Sequence, residues 1–372
     1  MSKLRSARAE LYDGLRATLP AWLLAHVVVL TVAWQINHDD LFSPLYVWDT
    51  HWYLAEASGM AHGGNVFTDD TGVGGLAHFF PLTSLCVAGI TIVTRLPVAF
   101  VLFAFCWVLA WVFGALVYVI AVRETGDRVT ASRSAWLSQL APGAVALVLG
   151  YTEPLAGVLA ALYFLAIRRQ RTGGAFVVGL LAGVSRPTGI VLALPGFIEA
   201  IRAAHKAGWT PRSIGAGLAQ SAAPVLGLFT YLAYCQWHFG DWILPYSQQV
   251  ASGNRGAVTQ NPFATIQSLV ETGSVGILVT SLACALIGIF ALIACGGLLP
   301  VSFTAWSAVM LVLGVTSPLF TSEPRYLAAI IPLLIALPDL IRSRWIWFPF
   351  LALNIGLLCS VSWLALTWRQ VA

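Results

Sequence analysis

About ten apolar stretches, most of them near the roughly 20 residues that cross a bilayer as helix, govern what this chain can fold into. They lie near 21–37, 98–121, 134–149, 154–167, 174–201, 215–235, 276–296, 301–318, 326–341 and 346–367. In lipid every backbone N–H and C=O needs an internal partner, so segments of this kind are helices. With 58% of its residues hydrophobic and 10% charged, the chain lacks the polar surface of a water-soluble domain. The expected fold is all-α, a polytopic membrane protein of about 10–11 transmembrane helices. Cys86, Cys106, Cys235, Cys284, Cys295 and Cys359 fall in apolar stretches at irregular spacing, which offers neither a disulfide framework nor a zinc site. A dispersed net charge of +4 excludes nucleic acid as a partner.

The basic residues set the orientation. Lys3, Arg5, Arg8 and Arg16 place the tail 1–20 in the cytosol, and the first span, with no small-residue cleavage site behind it, reads as a retained signal-anchor. From Ala17 to Thr94 there is no Lys or Arg, while Asp39, Asp40, Asp49, Glu56, Asp69 and Asp70 fall in that interval, so the loop 38–97 is expected outside. The apolar run 79–94 is read as a helix lying in the outer interface, because a crossing there would set Arg123, Arg128 and Arg133 against Arg168, Arg169 and Arg171. The run 174–201 is broken by Ser185-Arg186-Pro187-Thr188-Gly189. Two half-helices forming a re-entrant hairpin, with Arg186 at its tip, keep both basic flanks inside. The basic residues left outside the cytosolic segments are Arg95, Arg186, Arg255, Arg325 and the near-terminal Arg369. No repeat or compositional break divides the chain, so a single domain over 1–372 is expected, with outer loops at 38–97 and 236–264.

Several residues in this frame carry chemistry. Asp49, Trp52, Tyr53 and Glu56 fall at i, i+3, i+4 and i+7 of a helix reaching about Met60, on one face. Trp48, Trp52 and Tyr53 would sit at headgroup level and hold the carboxylates near the bilayer surface. Asp49 reads equally well as a helix N-cap. Glu153, after Tyr151-Thr152, suits a helix start. Arg186 and Arg325 lie near or within hydrocarbon and each needs a partner, either a structural carboxylate such as Glu153 or Glu323 or the phosphate of a lipid substrate. His51, His62 and His78 share the outer loop with several Asp, but no spacing resembles a ligand set, so no metal and no other cofactor is expected.

The segments WDTHWYLAEAS, AHFFPL, GYTEP, GLLAGVSRPTGIVLALP, FGDWILPYSQQ and SEPRYLAAIIPLL, in this order from about residue 22 to residue 345, resemble the PIG-V-like family of GT-C glycosyltransferases. The resemblance implies a GT-C-type bundle with interfacial helices in the first outer loop. It implies transfer of a hexose, mannose by the family's habit, from a polyprenyl-phosphate sugar to a hydroxyl of a lipid-linked or glycan acceptor on the outer or lumenal face. The family's catalytic acid corresponds to Asp49, its FFPL element to Phe79–Leu82 with Phe80, its YTE element to Tyr151–Glu153, its RPTG element to Arg186–Gly189 and its PRY element to Pro324-Arg325-Tyr326. Where the family often continues FFPLYP this chain has FFPLTS, which touches acceptor recognition.

On this reading Asp49 takes the acceptor proton, and Arg186 and Arg325, with Arg255 or His78, hold the departing phosphate. Trp48, His51, Trp52, Tyr53, Glu56, Phe80, Tyr151, Glu153, Gln248 and Tyr326 support or bind substrate. One carboxylate without a nucleophilic partner implies single displacement with inversion. Eighteen Arg against two Lys and short loops lean to a bacterial cell membrane, the endoplasmic reticulum being the eukaryotic counterpart. Two other classes remain. A transporter or lipid flippase predicts paired broken helices in two halves, and a non-catalytic scaffold subunit would tolerate loss of Asp49.

Overall fold

The structure, a computed structural model, describes residues 2–64, 66–69, 72–73, 76–251, 261–271, 275–317 and 322–369. Arg255, one of the expected phosphate ligands, lies outside the described residues, as do Asp70 and Asn254. As the apolar runs require, the helices are α1 (Ser2–Ile36), α2 (Asp49–His62), α3 (Leu82–Thr94), α4 (Val98–Thr125), α5 (Arg128–Leu140), α6 (Val145–Val148), α7 (Glu153–Arg168), α8 (Thr172–Ser185), α9 (Ala193–Ala207), α10 (Pro211–Phe239), α11 (Leu244–Ala251), α12 (Pro262–Glu271), α13 (Val275–Leu298), α14 (Val301–Val315), α15 (Glu323–Ala328), α16 (Ile331–Leu340) and α17 (Arg344–Leu366). Two two-residue strands, Thr68–Asp69 and Gly72–Val73, pair antiparallel in the first loop.

Among the described residues six helical segments are long and apolar enough to cross a membrane: Ala7–Ile36, Val98–Thr125, Pro187–Ala207, Pro211–Phe239, Gly276–Leu298 and Arg344–Leu366. Pro142–Val148 with Glu153–Arg168, bent by 103° at their break, makes either a broken seventh span or a re-entrant loop. The expected ten or so are reached only by counting the shorter apolar helices Thr172–Ser185, Val301–Val315 and Ile331–Leu340. The run expected to lie in the interface forms α3, whose 13 residues reach about 20 Å, short of the roughly 30 Å hydrocarbon core.

Contacts divide the chain into two compact units that interleave along the sequence, one of residues 1–48, 106–158 and 259–372, the other of 49–105 and 159–258. Composition carries no trace of this division, because both units are built from the same kind of apolar helix.

In the first unit α1 runs antiparallel to α4. Gly14 lies against Ala115, and Gly114 against Thr18. The indole N–H groups of Trp22, Trp111 and Trp136 donate to the carbonyls of Trp107, Leu15 and Ala17, the partners that half-buried tryptophans need. One end gathers the charges: Arg123 pairs with Glu10, Arg128 with Asp13, and Arg133 donates to the carbonyls of Ile341 and Arg342.

In the second unit α10 is the spine. Gly179 and Gly183 of α8 meet Pro224 and then Gly227–Leu228, so α8 runs parallel to α10. Gly196 and Gly217 bring α9 against Ser221 and then Ala200 against Gly217, so α9 runs antiparallel. Helices α8 and α9 therefore form a hairpin, closed where Gly189 in the 3₁₀ turn 187–192 lies on Ala182–Gly183 with no room for a Cβ. Both basic flanks of the hairpin end together, at the start of α10, where Arg168 of α7 and Arg202 of α9 pair with Glu199.

Candidate functional site

The outer-loop helix begins at Asp49 and runs two residues past the expected end, to His62. Trp48 enters it with φ +51, a left-handed backbone that a bulky residue rarely adopts, and its indole donates to Ala365 O at 3.0 Å while its ring packs at a tilt against Trp368, centroids 4.8 Å apart. The four residues expected on one face differ in depth. Asp49 and Trp52 are half-buried, Tyr53 is 4% exposed and Glu56 1%. His51 is exposed, its ring against Trp52.

Glu56 and Asp49 are thereby chemically distinct. Burial pushes the Glu56 carboxyl well above the usual carboxylate range, against the opposing effect of Ser84, whose hydroxyl donates to Oε2 at 2.8 Å from α3. Glu56 is buried and bonded to Ser84, whereas Asp49 sits at the first turn, half-buried. Two carboxylates at such different depths suit different roles.

The segment before α3 is tied to α10. Tyr231, 3% exposed, donates its hydroxyl to Ala77 O at 2.7 Å and packs on Phe80, ring centroids 4.6 Å apart. His78, half-buried, lies on Phe79 at 4.3 Å, and Phe79 meets Tyr53 edge-on at 5.3 Å. Tyr231 has no signal in the sequence beyond being one of the aromatics of α10, and Ser84 is one hydroxyl in an apolar run. Both were missed for that reason.

Arg186 stands in extended backbone between α8 and the 3₁₀ turn, half-buried, its carbonyl accepting from the Gly189 N–H at 3.0 Å. Since Gly183 meets Gly227–Leu228, the break one turn further on reaches the level of Tyr231. Helix α3 packs on α2 and on α8. The second unit thus brings α2 with Asp49, the 77–80 segment and the Arg186 break to one end of α10. Gln248, half-buried on α11, follows that end of α10 through the turn at Asp241.

Arg325 belongs to the first unit and is 9% exposed. Its Nε donates to Glu153 Oε1 at 2.5 Å, and its guanidinium lies 4.6 Å from the centre of the Tyr151 ring. Gly143 makes room for the Pro324 backbone beside the pair. The void there measures about 10 Å³, too small for a sugar or a phosphate. This is the carboxylate partner weighed for Arg325 from the sequence. Tyr326 is half-buried on the same short helix. Glu323, one turn away, is fully buried; its carboxyl is pushed up to about 8 by burial, and neither oxygen has a hydrogen-bond partner among the described residues. Gly314 leaves the space it fills. Among the described residues no cluster of His, Cys, Asp or Glu has the geometry of a metal site.

No family model matches the chain, and no curated protein matches it. Among solved structures it is similar to the archaeal oligosaccharyltransferase AglB from Archaeoglobus fulgidus, a structure in complex with an inhibitory peptide and a dolichol-phosphate. The similarity has a TM-score of 0.47 at 12% identity and covers 95% of this chain and 55% of that one. The chain thus spans little more than half the length of the protein it matches, and those values leave the activity to be argued from the residues.

Proposed function

We propose that this protein is a membrane glycosyltransferase of the GT-C type, moving a hexose from a polyprenyl-phosphate sugar to a hydroxyl acceptor. The observation that carries the reading is the convergence, in one unit, of Asp49 at the first turn of α2, the 77–80 segment and Arg186 at a broken helix, all at one end of α10. Asp49 accepts the acceptor proton. Arg186 holds the phosphate that leaves, its fork strengthening its hydrogen bonds as charge develops. The leaving group is a stable phosphate anion that needs no acid, and the buried Glu56 anchors α2 on α3 through Ser84. Arg325, bonded to Glu153 and laid over Tyr151, holds the fold of its own unit. The resemblance of the WD, FFPL, YTE, RPTG and PRY elements to PIG-V-like enzymes supports mannose as the sugar, with the acceptor lipid-linked or a glycan. The reaction face is then the outer one, in a bacterial cell membrane.

The test is transfer of labelled hexose by the purified protein from polyprenyl-phosphate sugars to membrane extract, read by mass spectrometry, with Asp49→Asn alongside. Asn keeps the size and the helix-starting ability but not the basic oxygen, so turnover should fall roughly 10²–10⁴-fold with insertion unchanged. Transfer by the variant at the wild-type rate with saturating donor would end the proposal for Asp49.

A second reading, a lipid or sugar transporter, gains one observation, the 103° bend between Pro142–Val148 and Glu153–Arg168, which makes a second broken helix beside the Arg186 break. The two breaks follow one another within residues 142–207, and among the described residues no matching bent pair lies in the other half of the chain. A transporter would move labelled lipid across vesicles with no new glycoside formed.

A further inference from the structure

At the other end of α10, helices α7, α9 and α10 of the second unit enclose a cavity of about 440 Å³. Small side chains create it, with Ala200 of α9 facing Gly217 of α10 across its floor. Its charged lining is Arg168, Arg202, Lys206 and one carboxylate, Glu199, a formal excess of two positive charges. Glu199 is 3% exposed, and both its oxygens accept from Arg168 Nη1, at 3.3 and 3.5 Å, and from Arg202 Nη1, at 3.4 and 3.2 Å. A guanidinium carries five N–H donors in a fixed fork, so a carboxylate behind it orients the fork without exhausting it. Arg202 and Lys206 are exposed. Close by in sequence, Trp209 is 62% exposed and Ile201, Ile214 and Leu218 on the same two helices are exposed too, and apolar side chains with a Trp among them suit a segment at headgroup depth.

We propose that this cavity binds a phosphate ester, with Arg202 and Lys206 gripping its oxygens and Glu199 holding the two guanidiniums in register. A carboxylate ligand would suit the fork as well, but every phospholipid headgroup carries a phosphate and only some carry a carboxylate. The chemistry is shared by two sources, a phospholipid headgroup and a soluble phosphate ester. The site is separate from the Asp49 end, since Gly217 and Tyr231 are about 21 Å apart along α10, and it does not depend on the transferase proposal.

The experiment is native mass spectrometry of the purified full chain titrated with phosphatidylglycerol, phosphatidylcholine or glycerol 3-phosphate, on the wild type and on Arg202→Gln/Lys206→Gln. Arg168 still covers Glu199 in that variant, and Lys206→Glu alone, at an exposed position, serves if the double variant folds poorly. The wild type should retain phosphatidylglycerol more strongly than phosphatidylcholine, whose phosphate is already neutralised by its own choline cation, with phosphatidylglycerol retention about tenfold lower in either variant. Displacement of the bound phosphatidylglycerol by glycerol 3-phosphate would support the site with the soluble ester as a competent ligand, and lack of displacement would support it with the lipid as ligand. Equal retention of the two lipids by the wild type, or undiminished phosphatidylglycerol retention by the variants, would overturn the proposal.

Discussion

The Arg325 corner and the Arg186 break look alike in sequence, each an arginine beside a proline where one helix gives way to the next, yet the structure treats them differently. Arg325 is buried to 9% exposure, bonded to Glu153 and laid over Tyr151, in a corner whose void would not admit a ligand. Arg186 is half-buried in extended backbone at the closed end of a helical hairpin whose first helix packs on α3, which in turn packs on the helix that carries Asp49. The two arginines differ in burial and in the room around them. At Arg325 a carboxylate of the fold fills the place beside the guanidinium. At Arg186, on the proposed reading, the substrate phosphate is bound as well.

The largest effect that would break this contrast is expected at Glu153. Replacing it by Ala leaves Arg325 buried without its carboxylate, a loss of roughly 3–5 kcal/mol, while Glu153→Leu with Arg325→Met should recover much of it. Thermal unfolding in detergent decides the matter, and a Glu153→Ala protein that melts with the wild type would place Arg325 outside any structural pair.

Beside that corner, Glu323→Gln tests the same burial from another direction. A carboxyl whose folded pKa is raised to about 8 from its ordinary 4.5 contributes fully below pH 4.5, where both states are protonated, and loses stability as pH climbs to about 8. The wild type should therefore melt lower at pH 8.5 than at pH 5.5. The Gln variant should lose that slope and be more stable at pH 8.5 by roughly 2–4 kcal/mol. Parallel pH profiles for the two proteins would mean that Glu323 is ionised as soon as it is exposed to ordinary pH.

The smallest of these effects is expected at Arg186. Lys keeps the charge and loses the fork, so Arg186→Lys should lower donor affinity or turnover by about tenfold with a nearly unchanged melting temperature. Destabilisation with normal turnover at low temperature would make Arg186 a second Arg325 and dissolve the contrast.

Much of the fold is legible in the chain itself. Apolar runs mark the long helices because lipid admits no unpaired backbone, and the Pro187-Thr188-Gly189 sequence marks the break because proline removes a donor and glycine lets Ala182–Gly183 approach. The start of α2 at Asp49 is readable from the aromatic and acidic spacing. The division into two units is not, since it depends on which apolar faces meet, and faces such as those of α8 and α10 differ only in the placing of glycine and alanine. For the candidate site, Asp49 and Arg186 stand out as charges in unusual places. Tyr231 and Ser84 do not, because a tyrosine and a serine in apolar helices are common, and only packing shows that one ties down Ala77 and the other holds Glu56. The choice between pairing partners for Arg325 likewise needed the meeting of residues 172 positions apart in the chain.

The helices that hold Arg186 occupy one uninterrupted stretch, residues 172–239. Their contacts are short in sequence and made through glycines that let backbones touch, so the trio needs nothing beyond Phe239 to close. During synthesis it can assemble while the last third of the chain is still unmade. The arginine is then fixed in its geometry early, and the rest of the protein is added around a cation already in place.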